Sequence, residues 1–315
     1  MDLTTIIVNY NTADLLHKCI DSLREAALKI QMNIIIVDNA STDNSVDLLK
    51  NDFSDCKLIT NEINVGFGRA NNQCIPGSQG RYILLLNTDA FVSEETLNKT
   101  IQYMDDNSGC GILGVKLLGR DGDLQPSCRY FPTPWNIFLK RTGFNKFFQN
   151  TQLVDDMSWD HNSVRQCDWV PGCYYLIRSE VVEKVGLFDP RYFLYYEEVD
   201  HCFATKKAGW DVHYFADTSV VHIGGESAKS EGELTSSGRQ LEALQIESEL
   251  LYFRKNYGRL MILNHLILLT LADMVMFIKC IIKGRINSSM LSSIKHSFVV
   301  WSLYFKTHCA NTPTR

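Results

Sequence analysis

The stretch Ile34-Ile35-Ile36-Val37-Asp38-Asn39-Ala40-Ser41-Thr42-Asp43 decides the fold. Four branched apolar residues run without alternation, as in a strand buried on both faces of a helix-covered parallel sheet, and the run then stops in polar residues. The pattern recurs on either side. Thr4 to Val8 reads as a strand, and Ala13 to Lys29 follows as a helix with Leu15, Leu16, Cys19, Ile20 and Leu23 at helical spacing. Lys57-Leu58-Ile59-Thr60 ends in Asn61 to Asn64, and Tyr82-Ile83-Leu84-Leu85-Leu86 ends in Asn87-Thr88-Asp89. This rhythm predicts an α/β fold with a mostly parallel central sheet.

Open α/β sheets bind ligands outside the carboxyl ends of their strands, which places Asp38, Asn64 and Asp89 at one mouth. Helix capping explains Ser41 to Asp47 equally well. Three successive polar strand ends are harder to ascribe to caps. Further on, the pattern predicts a helix over 94–107, strands over 111–117 and 173–177, a helix over 179–185 and a strand over 213–215. Residues 131–166 show no assignable period, and 224–240, rich in Gly, Ser, Glu and Lys, read as a mobile loop.

With 315 residues, 45% hydrophobic and 21% charged, and only seven prolines, the chain is neither disordered nor collagen-like. A net charge of −5 argues against nucleic acid as a partner, because such binding rests on clustered Lys and Arg. Ten cysteines lie scattered without a C-x-x-C pair, and Met1-Asp2-Leu3 leads directly into a strand, which together point to a reducing, cytosolic setting.

Asp89 at a strand end is suited to Mg²⁺ or Mn²⁺, whose other positions water and substrate phosphates fill. His222 is a candidate second ligand, with a structural histidine as the alternative. Glu197, Glu198 and Asp200 fall at an expected helix start, where the macrodipole favours the charged carboxylate and lowers its pKa. Ordinary first-turn bias would place acids there too. Trp169, Tyr195 and Tyr196 offer aromatic surface for a sugar ring, or serve as core. Gly66-Phe67-Gly68-Arg69-Ala70-Asn71 lacks the third glycine of the dinucleotide fingerprint, so Asn64, Gly66 and Arg69 are expected to shape a wall around a nucleotide or its pyrophosphate.

The ordered set VDNASTDNS (37–45), NVGFGRANN (64–72), LLLNTDA (84–90), DWVPGCYYLIRS (168–179), GLFDPRYFLYYEEVDHCFATKKAG (186–209) and His222 resembles the family 2 glycosyltransferases, bacterial rhamnosyltransferase-like members above all. The resemblance implies a GT-A fold, a nucleotide-diphosphate sugar donor, a divalent cation and inversion at the anomeric carbon. It implies that Asp38 contacts the nucleotide and that Asp89 is the last acid of the metal-binding DxD motif, whose first acid is Asn87 here. Glu198 then matches the general base, a Glu where the family has Asp, with Glu197 as the fallback. Asp200 is expected to be structural or to touch the acceptor. The implied acceptor is a saccharide on a polyprenyl diphosphate. Rhamnose from dTDP-rhamnose is the expected donor sugar, against UDP-galactose, UDP-N-acetylglucosamine or a non-catalytic donor-binding subunit of a membrane synthase.

The tail differs in kind. Leu260 to Ile282 is strongly apolar and about as long as a bilayer span of about 20 residues, yet Asn264, His265 and Asp273 interrupt it. Arg254, Lys255 and Arg259 precede it and Lys279, Lys283 and Arg285 follow, the flanks of a helix lying in the membrane interface. A true span and a homodimer interface are the alternatives. The expected division is therefore a catalytic domain over 1–225, a mobile loop over 226–240 and a helical region over 241–315, attached at the cytoplasmic face of the inner membrane.

Overall fold

The computed structural model describes residues 1–148, 150–224, 238–284 and 288–315. The four apolar runs form β1 (Leu3–Asn9), β2 (Met32–Asp38), β3 (Lys57–Thr60) and β4 (Tyr82–Asn87), paired in parallel in the order β3-β2-β1-β4. Asn9 is in register with Asp38, and Val8 with Asn87, so the polar ends come out level. Between them run α1 (Ala13–Ala26), α2 (Ser45–Asp52) and α3 (Phe67–Asn72).

Beyond β4 the sheet is mixed rather than mostly parallel. A two-residue β5 (Ala90–Phe91) and α4 (Glu94–Asp106) precede β6 (Cys110–Leu118), short β7 (Leu124–Gln125), α5 (Pro134–Thr142) and short β8 (Arg165–Gln166). Next comes β9 (Tyr174–Arg178), which inserts antiparallel between β4 and β6. After α6 (Ser179–Val185) and α7 (Glu197–Lys207), β10 (Asp211–His222) pairs parallel with β6 and, at its end, antiparallel with β5. Continuous apolar runs establish burial of both faces but leave strand direction open.

Alternate side chains of β1 divide between two cores. Leu3 and Ile7 join Leu16, Ile20 and Leu23 of α1, while Ile6 joins Ile35, Leu85 and Tyr175 on the opposite face. Each such buried side chain contributes about 1.5–3 kcal/mol. The ten cysteines, all among the described residues, form no disulfide.

The tail forms α8 (Gly238–Ile282) and α9 (Ser288–Lys306). The loop expected over 226–240 lies, up to residue 237, outside the described residues. Gly258, at φ 83° and ψ −170°, breaks the helical path of α8. Ile246, Leu250 and Phe253 before the break, and Ile262, Leu266 and Leu269 after it, join the same core as Ile6, Ile35 and Tyr175. Asp273 accepts from Arg141 of α5 and from Ser297 of α9, so the interrupting acid faces protein. The opposite face of α8 is bare: Leu260, Leu263, Ile267, Leu271, Met274 and Ile278 form one exposed apolar stripe. Two of the expected headgroup anchors are otherwise engaged, since Lys255 pairs with Asp189 and Asp200 and Lys279 donates to the Thr142 carbonyl. Arg285 lies outside the described residues.

Candidate active site

A cavity of about 310 Å³ opens at the carboxyl ends of β1, β2 and β4. Asn64, Gly66, Asn87, Asp89, Tyr195, Glu197, Glu198 and His222 all line it. Sheet topology accounts for the longest-range of these meetings. Ala90 of β5 pairs with His222 at the end of β10, so Asp89 is delivered to the histidine by backbone register.

Asp89 is nearly buried, and its Oδ2 accepts from the Gly224 amide at 3.1 Å. His222 Nε2 lies 3.4 Å from Asp89 Oδ1. The other imidazole nitrogen is fixed by Gln125. That amide donates through Nε2 to the His222 carbonyl at 2.9 Å, leaving Oε1 to accept from His222 Nδ1 at 2.8 Å. In neutral His222 the proton is therefore on Nδ1 and the Nε2 lone pair faces a carboxylate. Two acceptors at this separation suit a cation between them. Among the described residues no group of three or more His, Cys, Asp or Glu side chains forms a metal cage. A pair of donors fits a hard divalent ion that completes its shell with phosphate and water.

Gly66 shapes the wall opposite. Its φ of +88° is in the left-handed range, and a Cβ there would stand 2.4 Å from the Phe193 carbonyl. That carbonyl accepts from the Phe67 amide at 2.9 Å, bringing the β3–α3 turn against the segment before α7. Asn64 Oδ1 accepts from the Gly66 amide and from Asn39 Nδ2.

Glu197 and Glu198 open α7, as the sequence predicts, but their titration runs opposite to the helix-dipole expectation. Burial pushes Glu197 well above the usual carboxylate range, and the Glu198 charge adds to the rise. Burial also raises Glu198, while its own amide, Arg129 and the Gly172 amide pull it back. The cost of desolvation exceeds the dipole's benefit. Glu197 is 2% exposed, with Oε2 lacking a partner, whereas Glu198 is half-buried. Burial, then the Asp89 charge and more weakly that of Glu198, push the Cys173 thiol up, so both carboxylates stand near one point on the cavity wall.

Other expected site residues stand back from the cavity. Asp38 is buried behind it, accepting from Asn9 Nδ2 at 2.8 Å and the Ser41 amide at 2.9 Å. Arg69 turns away, donating to the Pro190 and Arg315 carbonyls. The Trp169 indole is core, with Nε1 donating to the Tyr130 carbonyl and the Arg129 guanidinium over its ring. Tyr196 donates to Glu249, and Asp200 is buried among Tyr192, Lys255 and Asn256. Trp169, Tyr196 and Asp200, expected either at the sugar and acceptor or in the structure, are here engaged in packing and hydrogen bonds outside the cavity lining. Residues that sequence reading passed over include Tyr10, Asn39, Phe67, Phe193 and Leu241 in the lining, and Gln125 behind His222. Tyr10 follows β1, so the rule that selected Asp38 would have found it; Gln125 carries no signal in the sequence.

Residues 4–162 match the model of glycosyl transferase family 2. The chain is 25% identical over 239 residues to the N-acetylglucosaminyl-diphospho-decaprenol L-rhamnosyltransferase of Mycobacterium tuberculosis, covering 70% of this chain and 75% of the relative. It is 27% identical over 168 residues to the rhamnosyltransferase WbbL of Escherichia coli K12, covering 50% and 60%. Among solved structures, the mannosyltransferase PcManGT of Pyrobaculum calidifontis with GDP-Man and Mn²⁺ superposes with a TM-score of 0.57 at 12% identity, over 97% of this chain and 86% of that one. Staphylococcus aureus TarS 1–349 gives 0.52 at 13% identity, over 98% and 91%. These structural likenesses establish a GT-A-like fold. With half of the chain matched, and with the mouth of its sheet built as described, this protein belongs to glycosyl transferase family 2.

Proposed function

We propose that this glycosyltransferase moves rhamnose, with inversion, from dTDP-rhamnose to a saccharide carried on a polyprenyl diphosphate, in cell-surface polysaccharide synthesis. The observation that carries the reading is the convergence of Asp89, His222 and Glu198 on one cavity at the sheet mouth. The rhamnose and lipid-linked acceptor are supported by the 25% identical mycobacterial relative, named for that donor sugar and acceptor class.

In this reading Glu197 holds the proton that the pair retains, and Glu198 stays ionised as base. The acceptor hydroxyl gives its proton to Glu198 while its oxygen attacks the anomeric carbon, and the bond from that carbon to the diphosphate breaks as the nucleotide leaves. Asp89 and His222 would hold Mg²⁺ or Mn²⁺, which when bound neutralises charge on the diphosphate. Asn64 and Gly66 wall the donor, with Asp38 supporting its nucleotide side from behind. Tyr195 lines the acceptor approach. Holding both substrates at attack distance supplies much of the acceleration.

The exposed stripe on α8 lies in the membrane interface at the cytoplasmic face. An apolar face opposite a protein-packed face suits a helix lying on a bilayer better than one crossing it. By length and composition alone α8 is capable of crossing.

Thermal shifts with dTDP-rhamnose, UDP-galactose and UDP-N-acetylglucosamine, each with and without Mn²⁺, test the donor. A Mn²⁺-dependent shift with dTDP-rhamnose, followed by transfer to a synthetic N-acetylglucosaminyl-diphospho-lipid, is the expected result. A shift and turnover with a UDP-sugar alone would overturn the donor assignment.

A further inference from the structure

The turn that aims the catalytic pair is strained and held by residues of α8. Tyr195 and Tyr196, at φ 69° and 68°, are consecutive left-handed residues without being glycine, an arrangement that persists only where surroundings impose it. They immediately precede Glu197 and Glu198. Tyr196 is the N-cap of α7 and makes no side-chain cap, so the usual device for fixing a helix start is missing. Its hydroxyl instead donates to Glu249 Oε2 of α8 at 2.6 Å. Burial first, and then the Glu249 charge, push the Tyr196 phenol well up, which keeps it protonated as the donor. Next to it on α8, Ser248 Oγ donates to the Leu194 carbonyl at 2.9 Å. Glu249 Oε1 lies 2.7 Å from Nε2 of His265, a fully buried residue beyond the Gly258 break.

We propose that Glu249 is a positioning residue for transfer: through Tyr196 it holds the left-handed turn that sets where α7 begins and hence where Glu198 points. His265 fixes the Glu249 carboxylate from the apolar half of α8, so the helix with the exposed stripe and the catalytic turn share one chain, Tyr196–Glu249–His265. The proposal rests on the reading of Glu198 as base. A role in packing alone would lower stability without separating turnover from donor binding.

The test measures kcat, donor Kd by calorimetry, and Tm for Tyr196→Phe, Glu249→Ala, Glu249→Gln, the Tyr196→Phe/Glu249→Ala double variant and Glu198→Gln. Displacing a catalytic group by about 1 Å costs on the order of 100-fold, so Tyr196→Phe and Glu249→Ala are each expected to lower kcat at least 10-fold. Donor Kd should stay within two-fold, and the double variant should be no worse than the poorer single one. Glu249→Gln, which still accepts from Tyr196, should recover most of the loss. If Tyr196→Phe, the mildest change to the fold, turns over at the wild-type rate while Glu198→Gln is inactive, the positioning role is overturned and the base assignment stands. If Glu198→Gln keeps turnover, the base assignment falls and the positioning role falls with it.

Discussion

His222 Nε2 faces Asp89 Oδ1 at 3.4 Å, with Gln125 holding the imidazole proton on the other nitrogen. The two residues lie far apart in sequence, and the β5–β10 pairing brings them together, with the Ile223 and Gly224 amides donating to Asp89 just beyond it. Partners that orient a metal-binding histidine typically matter 10–100-fold in metal affinity. Gln125→Leu should therefore raise the Mn²⁺ concentration for half-maximal transfer by about 10-fold or more. Titration of activity with Mn²⁺ checks this, and an unchanged half-point would count against His222 as a ligand. Asp89→Ala should abolish the Mn²⁺-dependent part of donor binding in calorimetry.

The Gly66 wall predicts a stability effect. A side chain there meets both a left-handed φ and the Phe193 carbonyl. Gly66→Ala should cost about 1–3 kcal/mol or more from the backbone conformation alone, visible as a lower midpoint in urea unfolding. An unaltered midpoint would mean that the turn moves freely away from Phe193.

Carboxyl groups raised on folding bind protons more tightly in the native state than in the unfolded chain. Stability from the Glu197–Glu198 pair is thus present below the unfolded carboxylate value and is lost as pH rises through the raised folded one. Glu197→Gln should flatten the fall in Tm as pH rises above the ordinary carboxylate range. The base requirement runs the other way, with wild-type kcat lost as pH falls through the raised value of Glu198. A kcat profile flat down to the ordinary carboxylate range would exclude this.

For the tail, Ile267→Glu combined with Ile278→Glu changes two exposed positions of the stripe. Each apolar side chain transferred to lipid contributes about 1.5–3 kcal/mol, so binding to anionic vesicles should weaken by at least about 10-fold. Turnover with a short-chain soluble acceptor should persist. Unchanged vesicle binding together with loss of a dimer in ultracentrifugation would reassign the stripe to self-association.

The parallel half of the sheet was legible because β1, β2 and β4 each carry an uninterrupted apolar run that ends level in polar residues. The direction of β9 was not, since Tyr174 to Arg178 reads alike in either orientation. Helix α5 was missed although its signals are local: Thr133 caps it with Asn136, Pro134 starts it and Gly143 ends it in the left-handed conformation. The lack of an apolar period across 131–166 hid them. At the site, a strand end pointed to Asp89, while residue type and the family resemblance pointed to His222 and to the glutamate pair at a helix start. Burial, which reversed the expected pKa direction at Glu197 and Glu198, depends on packing of distant segments. So do the withdrawal of Trp169 and Asp200 into structure and the grip of Glu249 on Tyr196.

Removal of the acceptor proton falls to Glu198, and Glu198→Gln takes that step away while keeping the side chain's size. Loss of a general base costs about 10²–10⁴-fold, and single-turnover transfer from the donor selected in the thermal-shift panel should fall by that amount. Donor affinity by calorimetry should remain as in the wild type. Transfer at the wild-type rate in this variant would mean that a group other than Glu198 takes the proton.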